Sequence, residues 1–451
     1  MKSIVFLSLL PVMIVVCCLS ACKKLVDIST PKNQLTTDKI FADSTSATAA
    51  MINIYALFNS SIDVNYNAVM SCYTDELQYS GTTQQLIEYA QGAVAPANST
   101  DLNFWQNSYF IIYSCNDVLA QSQRSAGLSQ QFKQQFQGEA KFLRAFAYLN
   151  LVNTYGSVPL ILSTSVNQNA IAERTDSASV YKQIVQDLLD AKNELTTGYI
   201  GQGKVRANQY AADALLARVY LWQKNWSQAE SAADVVISSG LYSPLPSTLS
   251  TFTANSTETI LAFYTQFGYI ADGPNLIPTS GAPQFFYSQT QLSAFEPGDH
   301  RKSDWILTSQ VDTNTFYSPF KYHNNTPNTS APEFLIALRA GEQYLIRAEA
   351  RAELNDLAGA VTDLNVIRNR AGLTAYSSLT DQVSILNAIY HERQVELFSE
   401  WGNRYSDLRR YGRLSAINST IKPGWKNTAV SLPIPQSEIN TDPNLKQNPG
   451  Y

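Results

Sequence analysis

The sequence predicts a mostly α-helical protein in which helix pairs stack and long irregular loops pack on one side. Two observations lead to this prediction. In several segments apolar residues recur at spacings of three and four, which is the period of one face of a helix. Two stretches rich in Pro, Gly, Ser, Asn and Thr, at about 60–100 and 242–332, lack that period. Loops of such length inside a compact protein are usually functional or disordered.

The amino terminus resembles a lipoprotein signal. An almost wholly apolar run at 4–19 follows a basic residue, and it is too short for an ordinary membrane span but suits a secretory signal. The sequence Leu-Ser-Ala-Cys at 19–22 resembles a bacterial lipobox. We therefore expect residues 1–21 to be removed, Cys22 to carry the lipid anchor and residues 22–45 to form a tether. The alternative is an ordinary signal peptide in which the cysteine is incidental.

Composition indicates an exported, folded and mildly acidic body. Removal of the signal leaves 31 basic and 37 acidic residues, a formal charge of −6. Such a chain has no electrostatic footprint for nucleic-acid phosphates, so we expect no nucleic-acid partner. Only Cys72 and Cys115 follow Cys22. They could form one bridge or remain two buried thiols, and neither case is a disulfide framework.

Two long helices are predicted from apolar spacing. The first has six apolar residues in helical register, namely Phe132, Phe136, Ala140, Leu143, Ala147 and Leu151. It is expected to stop at 155–159, where Gly156 and Pro159 interrupt a helix for different backbone reasons. The second is predicted from about Ser177 to Leu195.

An internal repeat with an offset of 131 residues predicts two helix pairs. The segment "LLARVYLWQKNWSQAESAADVVIS", from Leu215, aligns with "IRAEARAELNDLAGAVTDLNVIRN", from Ile346. The offset places Ala217 on Ala348, Ala229 on Ala360 and Val236 on Ile367. Small residues on both sides of a polar turn let two helices approach closely. This is the logic of a tetratricopeptide repeat, whose units stack because no single unit buries its own face.

The mature chain is accordingly divided into three regions that form one compact unit. Residues 46–240 are expected to hold most of the tetratricopeptide-like helices. Residues 241–331 are the irregular, aromatic-rich loop region, and residues 332–451 carry the last helix pair.

The sequence contains no convincing catalytic motif and no convincing metal-binding motif. The stretch His391-Glu392-Arg393-Gln394-Val395 begins like a zinc-protease helix but has Val395 where the second ligand would stand, so we expect no metal and no cofactor. Glu396 and Glu400 are predicted to share a helix face in an arginine-rich block, 392–410. Arginines hold neighbouring carboxylates ionised, which suits salt bridges and not a general acid. We therefore expect a stabilising network and no catalytic residue.

Four blocks of the sequence resemble the SusD/RagB family. They are "GEAKFLRAFAYLNLVNTYGSVPL" (138–160), "RANQYAADALLARVYLWQKNWSQAE" (206–230), "HERQVELFSEWGNRYSDLRRYGR" (391–413) and "LPIPQSEINTDPNLKQNPGY" (432–451). Together with the lipobox they span nearly the whole mature chain in the family's order. The resemblance implies an outer-membrane lipoprotein of tetratricopeptide-like helix pairs, which sits over a SusC-like TonB-dependent transporter. Such proteins capture a nutrient, commonly an oligosaccharide, and deliver it to the transporter.

The resemblance leaves several points open. The matching blocks belong to the scaffold, so no ligand-contacting residue is carried over from the family. Lys23 and Lys24 follow the cysteine, whereas many surface-exported relatives have acidic residues there, so display on the cell exterior is an expectation. The ligand could instead be a peptide or another nutrient. An anchored glycosidase and a structural repeat adaptor are the alternatives of other classes.

Aromatic residues in the irregular regions are the candidate ligand contacts. Residues 263–322 hold 13 aromatics in 60 positions, against 11% for the whole chain. Sugars present apolar C–H faces and hydroxyls, so a binder needs rings for stacking and amides or carboxylates for hydrogen bonds. The candidates are Trp305, Tyr269, Phe285, Asp272, Asn275, Tyr79 and Asp75, with Trp305 and Tyr269 as the leading stacking platforms. The alternative is that these rings pack the loops onto the helices.

Overall fold

The computed structural model describes residues 37–451, apart from the side chains of residues 37, 38 and 63–65. The predicted signal peptide and Cys22 lie outside the described residues, as does most of the predicted tether. Among the described helices, none is both long and apolar enough to cross a membrane.

The protein is mostly helical, as predicted. In chain order the helices are α1 (Thr37–Ile40), α2 (Ser44–Leu57), α3 (Asp63–Cys72), α4 (Gln84–Gln91), α5 (Ser99–Arg124), α6 (Gln130–Tyr155), α7 (Val166–Asn169), α8 (Ser177–Glu194), α9 (Gln209–Trp222), α10 (Trp226–Ser238), α11 (Gly273–Leu276), α12 (Gln289–Ala294), α13 (His300–Asp304), α14 (Ala340–Glu353), α15 (Leu357–Arg370), α16 (Gln382–Glu396), α17 (Asn403–Arg410), α18 (Leu414–Ile421) and α19 (Gln436–Thr441). A π-helical turn (Phe58–Ile62) joins α2 to α3.

Short strands form four two-stranded antiparallel ladders. The strands are β1 (Leu77–Tyr79), β2 (Val158–Pro159), β3 (Arg174–Thr175), β4 (Thr259–Phe263), β5 (Phe285–Tyr287), β6 (Ile306–Val311), β7 (Asn314–Pro319) and β8 (Leu335–Arg339). The ladders pair β1 with β5, β2 with β3, β4 with β8 and β6 with β7. Two of these ladders, β1–β5 and β4–β8, join segments that are far apart in sequence.

The two long helices are confirmed. Helix α6 begins at a cap in which the side chain of Ser129 accepts from the N–H of Phe132, and it ends at Gly156, whose φ is 78°. A positive φ is easily adopted by glycine, which has no Cβ. Helix α8 begins one residue after Asp176, whose carboxylate accepts from the N–H of Ser179. Such caps satisfy backbone donors that have no partner inside the helix.

The internal repeat is confirmed as two helix pairs, α9–α10 and α14–α15. All six small or apolar residues matched by the offset are 0% exposed, namely Ala217, Ala348, Ala229, Ala360, Val236 and Ile367. The offset also matches Lys224 with Asn355, and both adopt a left-handed turn conformation, with φ of 58° and 67°. The two copies therefore share the backbone geometry of the turn as well as the alanine contacts.

The loop region at 241–331 is more ordered than its composition predicts. It contains β4, the β6–β7 hairpin and three short helices. Strand β4 is buried along its whole length, and Phe263 stacks on Phe58 of the π-helical turn with ring centroids 4.6 Å apart. Phe263 also packs edge-on against Phe146 of α6 and Trp401. The loop region is thereby fixed to the helical core.

Cys72 and Cys115 are both buried free thiols. Burial raises the pKa of each thiol to about 12, so neither is a thiolate near neutral pH. Of the two possibilities left by the sequence, the structure supports two buried thiols.

The charged block of the carboxy-terminal region is a buried network. Nε of Arg393 donates to Asp407 at 2.8 Å, and Nε of Arg410 donates to the same carboxylate at 2.8 Å. Arg410 also binds both carboxylate oxygens of Glu349 in α14. The network joins α14, α16 and α17, in agreement with the expected stabilising role.

Replacing Arg393 with Leu is expected to lower the melting temperature, because Asp407 would lose one of its two cationic partners inside the protein. Breaking a buried ion pair costs about 3–5 kcal/mol. The change also removes two buried nitrogens, Nη1 and Nη2, that have no acceptor in the described part of the chain. We therefore expect the lower end of that range, measured by thermal and chemical denaturation.

Arg413→Leu is the matched control. Arg413 is exposed and its guanidinium lies 4.2 Å from the ring centroid of Tyr390, so its replacement should change the free energy of unfolding by no more than about 1 kcal/mol. An Arg393→Leu protein that melts like the parent but no longer binds ligand would place the charged block in the ligand site instead.

Candidate functional site

The two irregular regions of the sequence meet in the β1–β5 ladder. Tyr79 lies opposite Phe285, and Gln78 lies opposite Phe286. The ladder continues past its ends, since the N–H of Ser80 donates to the carbonyl of Gln284 at 2.9 Å. Because side chains alternate along a strand, Phe285 faces the core at 1% exposure whereas Phe286 faces outward and is half-buried.

A cleft of about 500 Å³ lies beside this ladder. We call it the sheet cleft. The residues that line it and are not fully buried are Gln78, Tyr79, Ile87, Ala90, Gln91, Phe286, Ser288, Gln289, Thr290 and Ile421. Two aromatic rings and several aliphatic groups thus stand among amide and hydroxyl groups, which donate and accept hydrogen bonds without carrying charge.

Tyr79 is held in place by its own turn. Its hydroxyl oxygen accepts from the N–H of Thr83 at 3.3 Å, and its ring centroid lies 5.0 Å from that of Phe285. A Cβ at residue 81 would lie 2.3 Å from the hydroxyl oxygen of Tyr79. Gly81 therefore leaves the space that the ring of Tyr79 occupies beside the cleft.

Asp75 contributes to the floor of the sheet cleft and not to its open surface. It is 2% exposed, and both carboxylate oxygens accept from Arg404, at 2.8 and 2.7 Å. A bidentate pair of this kind fixes the geometry of both groups. Asp75 therefore anchors the segment before β1 to α17, and its carboxylate is already occupied by the guanidinium.

The prediction that Trp305 offers an open stacking face is contradicted. Trp305 is 1% exposed, and its indole N–H donates to the carbonyl of Thr248 at 2.8 Å. Phe252 packs edge-on against its ring at 5.4 Å, and Nζ of Lys321 lies 4.7 Å from the ring centroid. The residue follows a helix of five residues, too short to show a period in the sequence, and turns its side chain inward. Trp305 is a core residue.

Phe285 is corrected in the same way, because its ring is buried against Tyr79. The ring of this strand that lines the sheet cleft is the next one, Phe286. Phe286 contacts Phe316 of the β6–β7 hairpin edge-on at 5.4 Å. In Phe285-Phe286-Tyr287 the first and third residues are 1% and 2% exposed. Alternation along the strand therefore places the middle ring, Phe286, on the open side.

Tyr269, Asp272 and Asn275 lie in another part of the loop region, outside the sheet cleft. Asp272 is 0% exposed, and its carboxylate accepts from the N–H of Ala68 at 3.4 Å. The prediction that Asp272 contacts a ligand is therefore wrong, because its side chain is buried. Tyr269 is half-buried and Asn275 is exposed. These two residues remain accessible.

Tyr269 belongs to a group of rings that we call the loop patch, made of Tyr264, Phe267, Tyr269 and Phe334. Tyr264 and Phe267 are 52% and 51% exposed. Tyr264 packs against Phe334 at 5.1 Å, and Phe267 is stacked with Tyr269 at 6.4 Å. Of these four rings only Tyr269 is predicted as a ligand contact, although the density of aromatic residues that begins at residue 263 indicates the whole patch.

Glu396 and Glu400 are held as carboxylates by basic side chains. Helix α16 ends at Glu396, so the predicted shared helix face is wrong, and Arg339 instead joins the two, at 2.5 Å to Glu396 and 2.8 Å to Glu400. Burial opposes ionisation, yet the guanidinium groups of Arg370 and Arg339 hold the pKa of Glu396 well below its ordinary value. A carboxyl in this state does not serve as a general acid at neutral pH.

The histidine that begins the zinc-protease-like sequence has a structural contact. A ring nitrogen of His391, Nε2, lies 2.7 Å from the carbonyl oxygen of Ala294, and Val395 is fully buried. Across residues 37–451, no group of three or more His, Cys, Asp or Glu side chains is placed to hold a metal ion.

Two family models match successive parts of the chain. The model described as "SusD family" matches residues 301–451, and the one described as "Starch-binding associating with outer membrane" matches residues 25–221. Together they include the strand β1 side of the sheet cleft and the carboxy-terminal charged block.

Individual relatives and solved structures agree with these models. The SusD-like protein P25 of Formosa agariphila is 25% identical over 421 residues, which covers 77% of this chain and 79% of the relative. A SusD-like protein from Bacteroides fragilis has a TM-score of 0.80 at 22% identity and covers 94% of this chain and 100% of its own. A laminarin-binding SusD-like protein has a TM-score of 0.78 at 24% identity, with coverage of 91% and 100%. The mostly helical architecture, the repeated helix pairs and these matches together establish that the chain belongs to the SusD/RagB family.

Proposed function

We propose that this protein is a non-catalytic, lipid-anchored outer-membrane protein that captures an oligosaccharide and delivers it to a SusC-like TonB-dependent transporter. The observation that carries the ligand class is the sheet cleft, where the rings of Tyr79 and Phe286 stand among amides and hydroxyls at the open surface, above the buried Asp75 and Lys422. Rings stack on the apolar faces of sugars, and amides bond to the sugar hydroxyls. A cleft of about 500 Å³ also falls within the ordinary range for small-molecule sites.

The comparisons support this ligand class without naming the sugar. One solved structure of similar fold is described as laminarin-binding, and one matching family model is described as starch-binding and associated with the outer membrane. Delivery to a transporter, anchoring through Cys22 and display on the cell exterior are parts of the proposal that rest on the family resemblance. A peptide or another nutrient remains the alternative ligand for the same role.

The non-catalytic part of the proposal rests on the state of the acidic groups. A glycosidase requires two carboxyl groups flanking the bond that is cleaved, one of them able to donate a proton. Asp75, the carboxylate in the wall of the sheet cleft, is paired on both oxygens with Arg404. A structural adaptor is disfavoured for a different reason, since it would not require an open cleft lined with rings and amides.

Tyr79→Ala and Phe286→Ala, made separately, are each expected to weaken oligosaccharide binding about tenfold, because aromatic contacts in a binding site are worth on the order of 1–2 kcal/mol. The probes are soluble laminarin and starch oligosaccharides, and calorimetry measures the affinity. Gly81→Ala should also weaken binding, since its methyl group would displace the ring of Tyr79. Melting temperatures establish that each variant is folded.

Tyr264→Ala and Phe267→Ala in the loop patch are the matched controls. If they abolish binding while Tyr79→Ala and Phe286→Ala leave it intact, the glycan occupies the loop patch and not the sheet cleft. If the parent ignores both glycans but binds a mixed peptide pool, the peptide alternative is correct. Shortened oligosaccharide products after incubation would contradict the non-catalytic assignment.

Purification from the native membrane in mild detergent is expected to retain a TonB-dependent transporter with this protein. Two partners that share a membrane meet at a raised effective concentration, so a modest intrinsic affinity suffices. Mass spectrometry of the purified complex identifies the partner. Recovery of the protein as a lone monomer in several gentle detergents would count against the proposed delivery role.

Cys22→Ala is expected to abolish lipid attachment and leave an uncleaved precursor that no longer partitions with membrane lipoproteins. Metabolic labelling with a fatty acid, followed by outer-membrane fractionation, measures this. Lys23→Ala is the matched control, since it changes the next residue but keeps the thiol. A Cys22→Ala protein that still carries label in the outer membrane would exclude the lipobox.

A further inference from the structure

A second cleft lies away from the sheet cleft and shares none of its lining residues. It has a volume of about 170 Å³ and forms where the end of α6, the start of α8, the end of α9 and helix α17 meet. We call it the arginine cleft. Its polar and aromatic lining is Asn153, Ser177, Tyr181, Trp222, Ser406, Arg409 and Arg410, with no carboxylate among the lining side chains.

The two guanidinium groups of the arginine cleft differ in whether a carboxylate balances their positive charge. Arg410 is paired with Glu349 and Asp407. Arg409 instead donates to the carbonyl of Asn153 and, at 3.0 Å, to the hydroxyl of Ser431. Among the described residues no carboxylate forms an ion pair with Arg409, so its positive charge faces this small cleft without a counter-charge.

Some of the N–H donors of the Arg409 guanidinium have structural roles. Asn153 lies in the last turn of α6, where carbonyl groups lack partners within the helix and favour a cation. That contact accounts for one terminal nitrogen, Ser431 accepts from the other, and the hydroxyl of Tyr405 also accepts from Arg409. A guanidinium has five N–H donors in a planar fork, so further donors remain for a ligand oxygen in the cleft.

The aromatic walls supply neutral donors beside the charge. Burial raises the pKa of Tyr181 to about 12 despite the opposing effect of Arg409, so its phenol keeps its proton at physiological pH. The indole N–H of Trp222 is buried and has no acceptor within the described residues. With Ser177 at the first position of α8, the lining offers many donors and only neutral acceptors.

We propose that the arginine cleft binds a single oxoanion, the carboxylate or sulfate group of a small acidic ligand. Guanidinium forks match the geometry of such groups and bind them through charge-assisted hydrogen bonds. The volume of 170 Å³ equals about five to six waters at ~30 Å³ each, which accommodates an oxoanion with part of one sugar ring. The proposal concerns a different cleft from the one assigned to neutral oligosaccharide, so the neutral-glycan assay and the anion assay can fail independently.

The test titrates the purified full-length protein in mild detergent with D-glucuronate and, separately, with sodium sulfate, using calorimetry. D-glucose and sodium chloride at equal ionic strength are the reference titrations. We expect a Kd on the order of 1–10 mM for at least one oxoanion, weakened by added salt. The profile should be flat between pH 6 and 9, because burial raises the pKa of Tyr181 to about 12 and its phenol stays protonated over that range. Preference for glucuronate indicates a carboxylate ligand, and preference for sulfate indicates a sulfated one.

Arg409→Gln is expected to weaken oxoanion binding at least about tenfold, since it removes the uncompensated charge. Arg409→Lys keeps the charge without the fork and should show an intermediate loss. Tyr181→Phe, which preserves the packing of the ring, should cost about threefold, the loss of one hydrogen bond. Arg413→Gln, an exposed arginine outside the cleft, is the control and should bind like the parent.

Three outcomes would overturn the proposal. They are no binding of either oxoanion up to about 50 mM, a response to chloride equal to that of both oxoanions, and unchanged affinity in Arg409→Gln. If Arg409→Gln fails to fold, then unchanged affinity in both Arg409→Lys and Tyr181→Phe would overturn it in the same way.

Discussion

The buried carboxylate of Glu396 is the contact on which the arrangement of the loop region depends. Its two oxygens accept from Arg339 of β8, Arg370 of α15 and Arg301 of α13. These three arginines come from the strand that leads into the repeat, from the last helix of the repeat and from the loop region. One carboxylate at 0% exposure therefore joins three parts of the chain that are remote in sequence.

This network makes its contribution to stability depend on pH. Burial alone would raise the pKa of Glu396, but the surrounding guanidinium groups outweigh it and keep the pKa well below the ordinary value of 4.5. A carboxyl whose pKa is lower in the folded state contributes stability that is present above its unfolded pKa. That contribution is lost as the pH falls through the folded pKa. Strand β5 of the sheet cleft belongs to the loop region, which the ion pairs of Glu396 hold to the helices. Protonation of Glu396 at acidic pH should therefore also loosen the sheet cleft.

The helical part of this fold could be predicted because its signals are local. Alanines such as Ala217 and Ala348 recur at the repeat offset of 131 residues, and the turn residues Lys224 and Asn355 fall at the same offset. The loop region carries no comparable signal. Its strands pair across large sequence separations, as Tyr79 does with Phe285, and nothing near either residue specifies the other.

The same limit explains the outcome for the candidate site residues. An aromatic-rich segment indicates that rings are needed, but packing against distant elements decides which ring is exposed. Trp305 is enclosed by Phe252 and Lys321, two residues that the sequence does not connect with it. Phe286 and Phe285 differ only by the side of the strand they occupy, and the buried side is fixed by the pairing with β1. The sequence limits the candidate rings to a segment, whereas the tertiary structure is needed to tell which of them are exposed.

The distribution of charge separates the two clefts more sharply than their shapes do. The sheet cleft presents mainly amides, hydroxyls and rings at its open surface. At its buried floor Asp75 is paired with Arg404, and the ammonium group of Lys422 donates to the carbonyl of Cys72. The chain as a whole carries an excess of acidic residues, which would repel acidic ligands at long range. That repulsion is screened beyond about 8 Å at physiological ionic strength, so local donors decide what is bound at close range. An uncompensated guanidinium such as that of Arg409 can therefore select an oxoanion on a protein whose net charge is negative.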